Sequence, residues 1–221
     1  MAKQVTSVTR EPKRRAAPPA DRSASFDAKR REIAEAAVRV FDRVGFQRAT
    51  MGALADEMGV DRSSLYYYIS SKEELLDEVL RTVVERNYMV AKRIQESEVS
   101  PRRKLRDFIL MLMSSYGEHY PLFYIYIREN LSQVSGPRSE WSLKMRDMNR
   151  QTTESLVAII EEGIADGSFR QIGKPRVIAY GIFGVVGWTS RWYKPRQSEA
   201  SAEEIGATYA EMILAGLESP Y

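Results

Sequence analysis

The chain has 221 residues, of which 43% are hydrophobic and 29% are charged, a composition typical of a globular protein that buries a sizeable core. It contains no cysteine, which excludes disulfide frameworks, thiolate metal sites and cysteine nucleophiles. No apolar stretch is long enough for a membrane span or a secretory signal, so we expect a cytoplasmic protein.

The net charge of +3 is spread unevenly along the chain. Residues 1–31 hold nine basic side chains against three acidic ones, whereas the rest of the chain is mildly acidic. Because residues 14–20 are also rich in alanine and proline, we predict that residues 1–25 form a basic, disordered arm. Such an arm either seeks a polyanion or only keeps the chain in solution, and both interpretations remain open at this point.

The first predicted helix begins near residue 27, where apolar side chains start to recur every three or four positions on one face. Those side chains are Ile33, Ala37, Phe41 and Val44. Gly45 follows directly and is predicted to end the helix, because glycine readily adopts the left-handed conformation of a helix C-terminus.

Capping signals predict three further helices. Thr50 precedes a short helix that ends at Gly59, and Asp61 precedes a second short helix. Ser71 and Glu74 have the Ser-x-x-Glu spacing of a capping box, ahead of a longer fourth helix. The predicted order is therefore three short helices followed by a long connecting helix.

The second half of the chain shows more helical periodicity. A fifth amphipathic helix covers about 105–116, and Pro121 is well placed at the first turn of a sixth. Further helices are predicted at about 140–165, at 175–193 and at 202–217. Since no segment shows the alternation of a strand, we predict an all-α fold of about nine helices.

The second and third helices, joined through a turn at Gly59, have the pattern of a helix-turn-helix. Leu54 and Leu65 are expected to pack between the crossed helices, which leaves the outer face of the third helix free to enter a DNA major groove. Thr50 and Lys72 each begin a helix, where free amides and the helix dipole favour phosphate. An ordinary helical hairpin has the same spacing and remains the alternative.

Residues 45–76 resemble the DNA-binding domain of the tetracycline-repressor (TetR) family. The resemblance lies in the order Gly-Phe, Thr, Leu-Ala, Gly-Val, Leu-Tyr and Lys-Glu-x-Leu along this segment. Two positions depart from the usual pattern: Ile69 stands where phenylalanine is usual, and Ser64 stands where glycine or threonine is common. The first is a packing change, and the second alters the surface that would read the operator.

The resemblance implies phosphate contacts from Thr50, Tyr68 and Lys72, and groove contacts from Arg62, Ser63 and Tyr67. The complete set of predicted DNA-binding residues is Thr50, Arg62, Ser63, Ser64, Tyr66, Tyr67, Tyr68 and Lys72. The domain boundaries that follow are an arm at 1–25, a DNA-binding domain at 26–75, and a ligand-binding and dimerisation domain at 76–221. The expected partners are double-stranded operator DNA, a second copy of the chain and a small-molecule effector, with no membrane partner.

Residues 181–195 and 201–217 are similar to the C-terminal domains of repressors of steroid catabolism and fatty-acid degradation. Many members of that branch respond to acyl-CoA thioesters, so the resemblance implies an effector of this kind. In the family the last two helices form the dimer interface. On that basis the predicted interface residues are Gly181, Gly184, Trp192, Ile205, Tyr209, Met212 and Ile213.

An effector site in a helical domain needs an apolar lining with a few polar groups, and phosphates of a CoA thioester also need cations. Methionine and aromatic residues suit the lining, although for each single residue plain core packing is the favoured interpretation. The arginines could instead pair with a neighbouring glutamate. The candidate effector-binding residues are Met111, Phe123, Tyr124, Arg128, Met145, Met148, Phe183, Trp188 and Arg191.

Catalysis has little support in the sequence. The chain has a single histidine, His119, no cysteine and no glycine-rich phosphate loop, so we expect no enzyme activity, no metal and no cofactor. The sequence therefore predicts a dimeric, ligand-responsive repressor, with an acyl-CoA thioester as the effector. The alternatives are a regulator of an efflux or resistance gene induced by an apolar drug-like ligand, and a DNA-binding regulator without a ligand.

Overall fold

The computed structural model describes residues 20–120, 122, 125 and 140–218. Within these ranges the chain is α-helical and contains no strand beyond an isolated bridge between Phe169 and Glu218, so the predicted all-α class is confirmed. None of the described helices is both long and apolar enough to cross a membrane. The helix predicted to begin at Pro121 lies outside the described residues, as does most of the predicted arm.

Eight α-helices and one short 3-10 helix make up the described fold. Four helices come first, and they form the N-terminal unit: α1 (Ala20–Val44), α2 (Met51–Met58), α3 (Arg62–Tyr68) and α4 (Lys72–Gln95). The C-terminal helices are α5 (Pro101–Glu118), α6 (Glu140–Ala165), α7 (Pro175–Trp188) and α8 (Ala202–Leu217), with the 3-10 helix Thr189–Arg191 directly after α7.

The helix ends follow the capping signals of the sequence in most places. Gly45 and Gly59 both have positive φ, at 79° and 64°, and the side chain of Thr50 caps α2 by accepting a hydrogen bond from Ala53 N at 3.1 Å. The predicted capping box at α4 is only half formed. Ser71 Oγ accepts from Glu74 N at 3.0 Å, but the Glu74 carboxylate accepts from Ser70 N instead of closing the box.

Two helix boundaries differ from the prediction. α1 begins at Ala20, directly after Pro18-Pro19, so residues 20–25 belong to a helix and the predicted boundary of the arm at residue 25 was wrong. No helix breaker follows those prolines before Gly45, and the helix can extend back to them. α7 ends at Trp188, five residues before the predicted end at residue 193, because the chain tightens into a 3-10 turn there. This turn buries Tyr193, whose ring centroid lies 5.8 Å from that of Tyr116.

The core consists of two apolar clusters. The first lies among α1 to α4 and also receives Leu122, Ile125, Met145 and Met148. The second lies among α5 to α8, with Ala91 of α4 added to it. α4 and α6 therefore contribute to both clusters, and they connect the N-terminal unit physically to the C-terminal one.

Candidate DNA-binding surface and ligand cleft

The helix-turn-helix is formed by α2, the turn at Gly59 and α3. Val60 N donates to Ala55 O at 3.0 Å, which closes the turn after the left-handed glycine. Leu54 and Leu65 are fully buried between the helices. Their burial leaves the opposite face of α3 to solvent, as the helix-turn-helix interpretation requires.

The exposed face of α3 carries most of the predicted DNA-contacting residues. Arg62, Ser63 and Ser64 are exposed, and Tyr66 and Tyr67 remain 51% and 58% exposed. Two large aromatic side chains that stay more than half exposed on a seven-residue helix offer apolar surface to a partner. The face is polar, aromatic and basic, the combination that reads base edges and thymine methyl groups in a major groove.

An aromatic cluster at the start of α1 holds two of these tyrosines. The Phe26 ring centroid lies 5.0 Å from that of Tyr68 and 6.0 Å from that of Tyr67, and the two tyrosine rings are 5.0 Å apart. Tyr68 is accordingly half-buried rather than fully exposed. The sequence prediction missed Phe26, although it lies seven positions before Ile33 on the same helical face.

Lys72 lies at the start of α4 and is already engaged within the protein. Its Nζ donates to Phe46 O at 3.0 Å and to Gln47 O at 3.1 Å, and it sits 4.7 Å from the centroid of the Phe46 ring. An ammonium group has three donors, so one remains for a phosphate. Lys72 therefore holds the turn that leads into Thr50, and this connects two of the three predicted phosphate contacts, Thr50 and Lys72, directly.

Arg30 of α1 ties α3 to α4. Its guanidinium donates to Tyr68 O at 2.9 Å, at the end of α3, and to the Glu78 carboxylate of α4 at 2.9 Å, and it lies 3.4 Å from Glu74. Burial raises the pKa of Glu74, but hydrogen bonds from Ser70 and the charge of Arg30 outweigh it and leave this pKa below its usual value. The sequence analysis did not single out Arg30, because nothing local distinguishes it from the adjacent basic residues.

A second ion-pair group joins α1 to α2. Glu57 accepts from Arg39 at 3.0 Å and from Arg43 at 2.9 Å, and these two hydrogen bonds lower the pKa of its carboxyl group. The positions of both α2 and α3 relative to α1 are thus supported by arginines of α1. The reading helix is held as part of a small, cross-linked unit.

The residues predicted to line an effector pocket do not come together. Met145 and Met148 are buried in the N-terminal cluster, whereas Met111 and Phe183 pack against the C-terminal cluster. The predicted common pocket from these four residues is therefore wrong, because α6 spans both clusters and its start faces the N-terminal one. The candidates Phe123, Tyr124 and Arg128 lie outside the described residues.

The remaining two candidates lie together at the surface. Trp188 is 60% exposed at the end of α7, and the Arg191 guanidinium lies 4.9 Å from the centroid of its ring. This is the geometry of a cation–π contact. Arg191 is also one of the residues that line a cleft between the two units, described next.

The cleft between the N-terminal and C-terminal units has a volume of about 530 Å³, which is in the range of small-molecule sites. One wall is the end of α1 and the turn after it, residues 41–48. The residues of the other wall come from the end of α5, the segment that follows it and the 3-10 region: Tyr120, Ile125, Ser190, Arg191, Tyr193 and Lys194. Among the described residues, the lining thus combines aromatic side chains with four cations, Arg43, Arg48, Arg191 and Lys194, and one carboxylate, Asp42.

An apolar face of α7 and α8 is open to solvent. Of the predicted interface residues, Gly181, Gly184, Trp192 and Met212 are exposed, and Tyr209 and Ile213 are half-buried. Ile205 is only 5% exposed inside the protomer's own core, so the prediction that it faces a second copy was wrong. The family resemblance placed Ile205 in the interface, but its side of α8 packs on α5. The sequence analysis missed Val177 and Tyr180, which are 63% and 58% exposed on α7.

Comparison with known proteins gives two family matches that together span most of the chain. Residues 33–79 match the family of bacterial regulatory proteins called the tetR family. Residues 98–217 match the family described as tetracyclin repressor-like, C-terminal domain. The first match contains α2 and α3 in full, and the second contains α5 to α8.

Individual relatives agree with these matches. The transcriptional repressor KstR2 of Mycobacterium tuberculosis is 28% identical over 192 residues, which cover 86% of this chain and 94% of KstR2. The structure of KstR2, described as a ketosteroid transcriptional regulator, matches with a TM-score of 0.78 at 26% identity over 87% of this chain and 96% of the other. AibR, solved with isovaleryl coenzyme A and operator DNA, shares the fold with a TM-score of 0.67 at 20% identity. The match covers 87% of this chain and 100% of the AibR chain.

Proposed function

The chain belongs to the TetR family of transcriptional repressors, and from that premise we propose that it is a homodimer released from its operator by an acyl-CoA thioester. The observation that carries the DNA-binding part is the exposed face of α3, with Arg62, Ser63, Tyr66 and Tyr67 beside the helix starts at Thr50 and Lys72. Bases are read by the first group, and phosphates are contacted by the second. Membership in this family also makes the protein a regulator and not an enzyme.

The dimer is proposed from the open apolar face of α7 and α8. An isolated protomer would expose Val177, Tyr180, Trp188 and Met212 together, each more than half exposed, which is a large apolar surface for a monomer. A second copy related by two-fold symmetry would cover it. The same symmetry would set two α3 helices about 34 Å apart, one turn of DNA, as a palindromic operator requires.

The effector class is proposed from the relatives and from the charges of the chain. KstR2 is named as a ketosteroid regulator, and AibR was solved with a CoA thioester and operator DNA. The AibR likeness is one of fold, so it supports only that this fold accommodates both ligands. Arg191, exposed and stacked on Trp188, supplies a cation of the kind that CoA phosphates need.

The proposed mechanism is a shift between two conformers. The free dimer holds its α3 helices at the operator spacing, and the effector favours a conformer in which α4 has swung and that spacing is lost. α4 suits this role because it begins at Lys72 in the DNA-binding unit and reaches the C-terminal cluster at Ala91. To free most of the bound repressor, the effector must prefer the released conformer by several kcal/mol.

The test is fluorescence anisotropy of the purified protein on labelled DNA from upstream of its own gene. Acyl-CoA thioesters and the matching free acids are titrated into the complex. Release by a thioester and not by its acid supports the proposal. Binding to DNA that no thioester releases, but that an apolar drug-like compound does, assigns the protein to the alternative class of efflux regulators. Binding that no compound changes indicates a regulator without a ligand.

A further inference from the structure

Among the residues that the structure describes, the cleft between the two units carries more positive than negative charge. Arg43 pairs with Glu57 at 2.9 Å, and Arg48 Nε donates to Val44 O at 3.1 Å. Within the described ranges, 20–120, 122, 125 and 140–218, Arg191 and Lys194 have no carboxylate partner. Cations gathered at a concave site without counter-charges attract an anionic ligand.

The walls of the cleft add apolar surface to this charge. Half-buried Tyr120 presents most of it, whereas Phe41, Phe46 and Tyr193 border the cleft but are at most 4% exposed. A ligand with phosphates and a planar or apolar portion therefore matches the cleft better than a free inorganic ion does. Arginine at a phosphate site also forms paired hydrogen bonds, which give both affinity and orientation.

The cleft is connected directly to the candidate DNA contacts. Phe46 and Gln47, which form part of its wall, are the residues whose carbonyl oxygens accept hydrogen bonds from Lys72. The same turn continues through Ala49 into Thr50, the N-cap of α2. A ligand that moves this turn therefore acts on two predicted phosphate contacts, Thr50 and Lys72, at once, without passing through the core of the C-terminal unit.

We propose that this cleft binds the phosphate groups of a small organic ligand, and that its occupation displaces the turn at 45–49 and weakens DNA binding. The proposal deepens the proposed function and rests on it in one respect: when the effector is a CoA thioester, the cleft holds its diphosphate end. The chemistry itself is that of any ligand with paired phosphates. Coenzyme A and inorganic pyrophosphate serve as the two probes.

Binding of both probes is measured by isothermal titration calorimetry on the full chain. We expect the double substitution R191Q with K194Q to weaken the binding of each probe at least tenfold, because two charge-assisted contacts are lost. The matched control is R196Q, which removes one exposed positive charge two residues from Lys194 but outside the cleft. The control should bind both probes as the wild type does.

Several results would overturn the proposal. Unchanged affinity of the double variant for both probes would do so, and so would the absence of any binding to the wild type. A double variant that binds the probes normally but loses operator affinity without ligand would show that the cleft contacts the DNA backbone instead. Thermal unfolding midpoints should be unchanged, since Arg191 and Lys194 are exposed.

Failure of the cleft proposal can be distinguished from failure of the proposed effector class. If acyl-CoA releases DNA equally from the wild type and the double variant, the effector class stands and the cleft proposal fails. If coenzyme A and pyrophosphate bind in a manner that depends on Arg191 and Lys194, while no thioester releases DNA, the cleft stands as a phosphate site, whereas its proposed effect on DNA binding and the effector class both fail.

Discussion

Replacement of Arg30 by alanine should loosen the DNA-binding unit, because this one side chain hydrogen-bonds both to the end of α3 and to the first turns of α4. The Arg30 side chain is only 20% exposed, so loss of its bond to Tyr68 O should cost about 1 to 1.5 kcal/mol. The carboxylates of Glu78 and Glu74 are 28% and 38% exposed, and each of these screened pairs should contribute about 0.5 kcal/mol. We therefore expect a loss of about 2 kcal/mol in the free energy of unfolding.

The measurement is urea unfolding followed by circular dichroism, at equal protomer concentration because dimerisation adds to stability. The matched control is Arg31→Ala, which removes the neighbouring arginine from the exposed face of α1. Arg30→Ala should also weaken operator binding, since the end of α3 is released, whereas Arg31→Ala should change stability by less than about 0.5 kcal/mol. Equal unfolding curves for the two variants would refute the role given to Arg30.

Four further predictions follow from individual sites. Burial lowers the pKa of His119, so the folded state takes up the proton less readily than the unfolded state does, and the free energy of unfolding falls as the pH drops below about 6.5. Between pH 7 and pH 5.5 the unfolding midpoint should therefore drop less in His119→Gln than in the wild type. An equal drop would contradict this. Gly163→Ala should lower the free energy of unfolding by about 1 to 3 kcal/mol, because the new Cβ would lie 2.1 Å from the ring of buried Phe169. The control is Gly216→Ala, whose Cβ would meet nothing within 4 Å, and similar unfolding midpoints for the two variants would argue against the clash. Tyr67→Ala should abolish operator binding in an electrophoretic mobility assay while size-exclusion chromatography still shows the dimer; loss of the dimer would mean that Tyr67 has been misplaced. Deletion of the residues before α1 should weaken DNA binding and flatten its dependence on salt, and an unchanged slope would leave the arm a solubilising segment.

Much of the helical framework could be predicted from the sequence, because helix ends depend on residues that are close together in the chain. Gly45 and Gly59 end helices with positive φ as expected, and Thr50 caps α2 with its hydroxyl. The exposed face of α3 was also predictable, since one buried position, Leu65, determines which way a short helix points. The family resemblance of residues 45–76 rested on the same local signals.

The cross-links of the DNA-binding unit were beyond a reading of the sequence. Arg30 is one of three consecutive basic residues, and only the packing of α1 shows that it alone reaches Glu78. Lys72 was predicted as a phosphate contact, but the structure also makes it the anchor of the turn at Phe46. Both roles involve partners 26 to 48 positions away along the chain, and no local pattern encodes such distances.

The sequence by itself determined the class of fold, the positions of most helix ends and the surface of the reading helix. The tertiary structure alone decided which helices pack together: it assigned Met145 and Met148 to the N-terminal cluster, buried Ile205 against α5 and created the cationic cleft between the units. The physical reason is that periodicity shows which side of a helix is apolar, and the hydrophobic effect that buries this side has no direction. Which neighbouring helix covers the apolar side depends on how all the helices pack together. The position of the cleft that remains between the two units depends on the same packing.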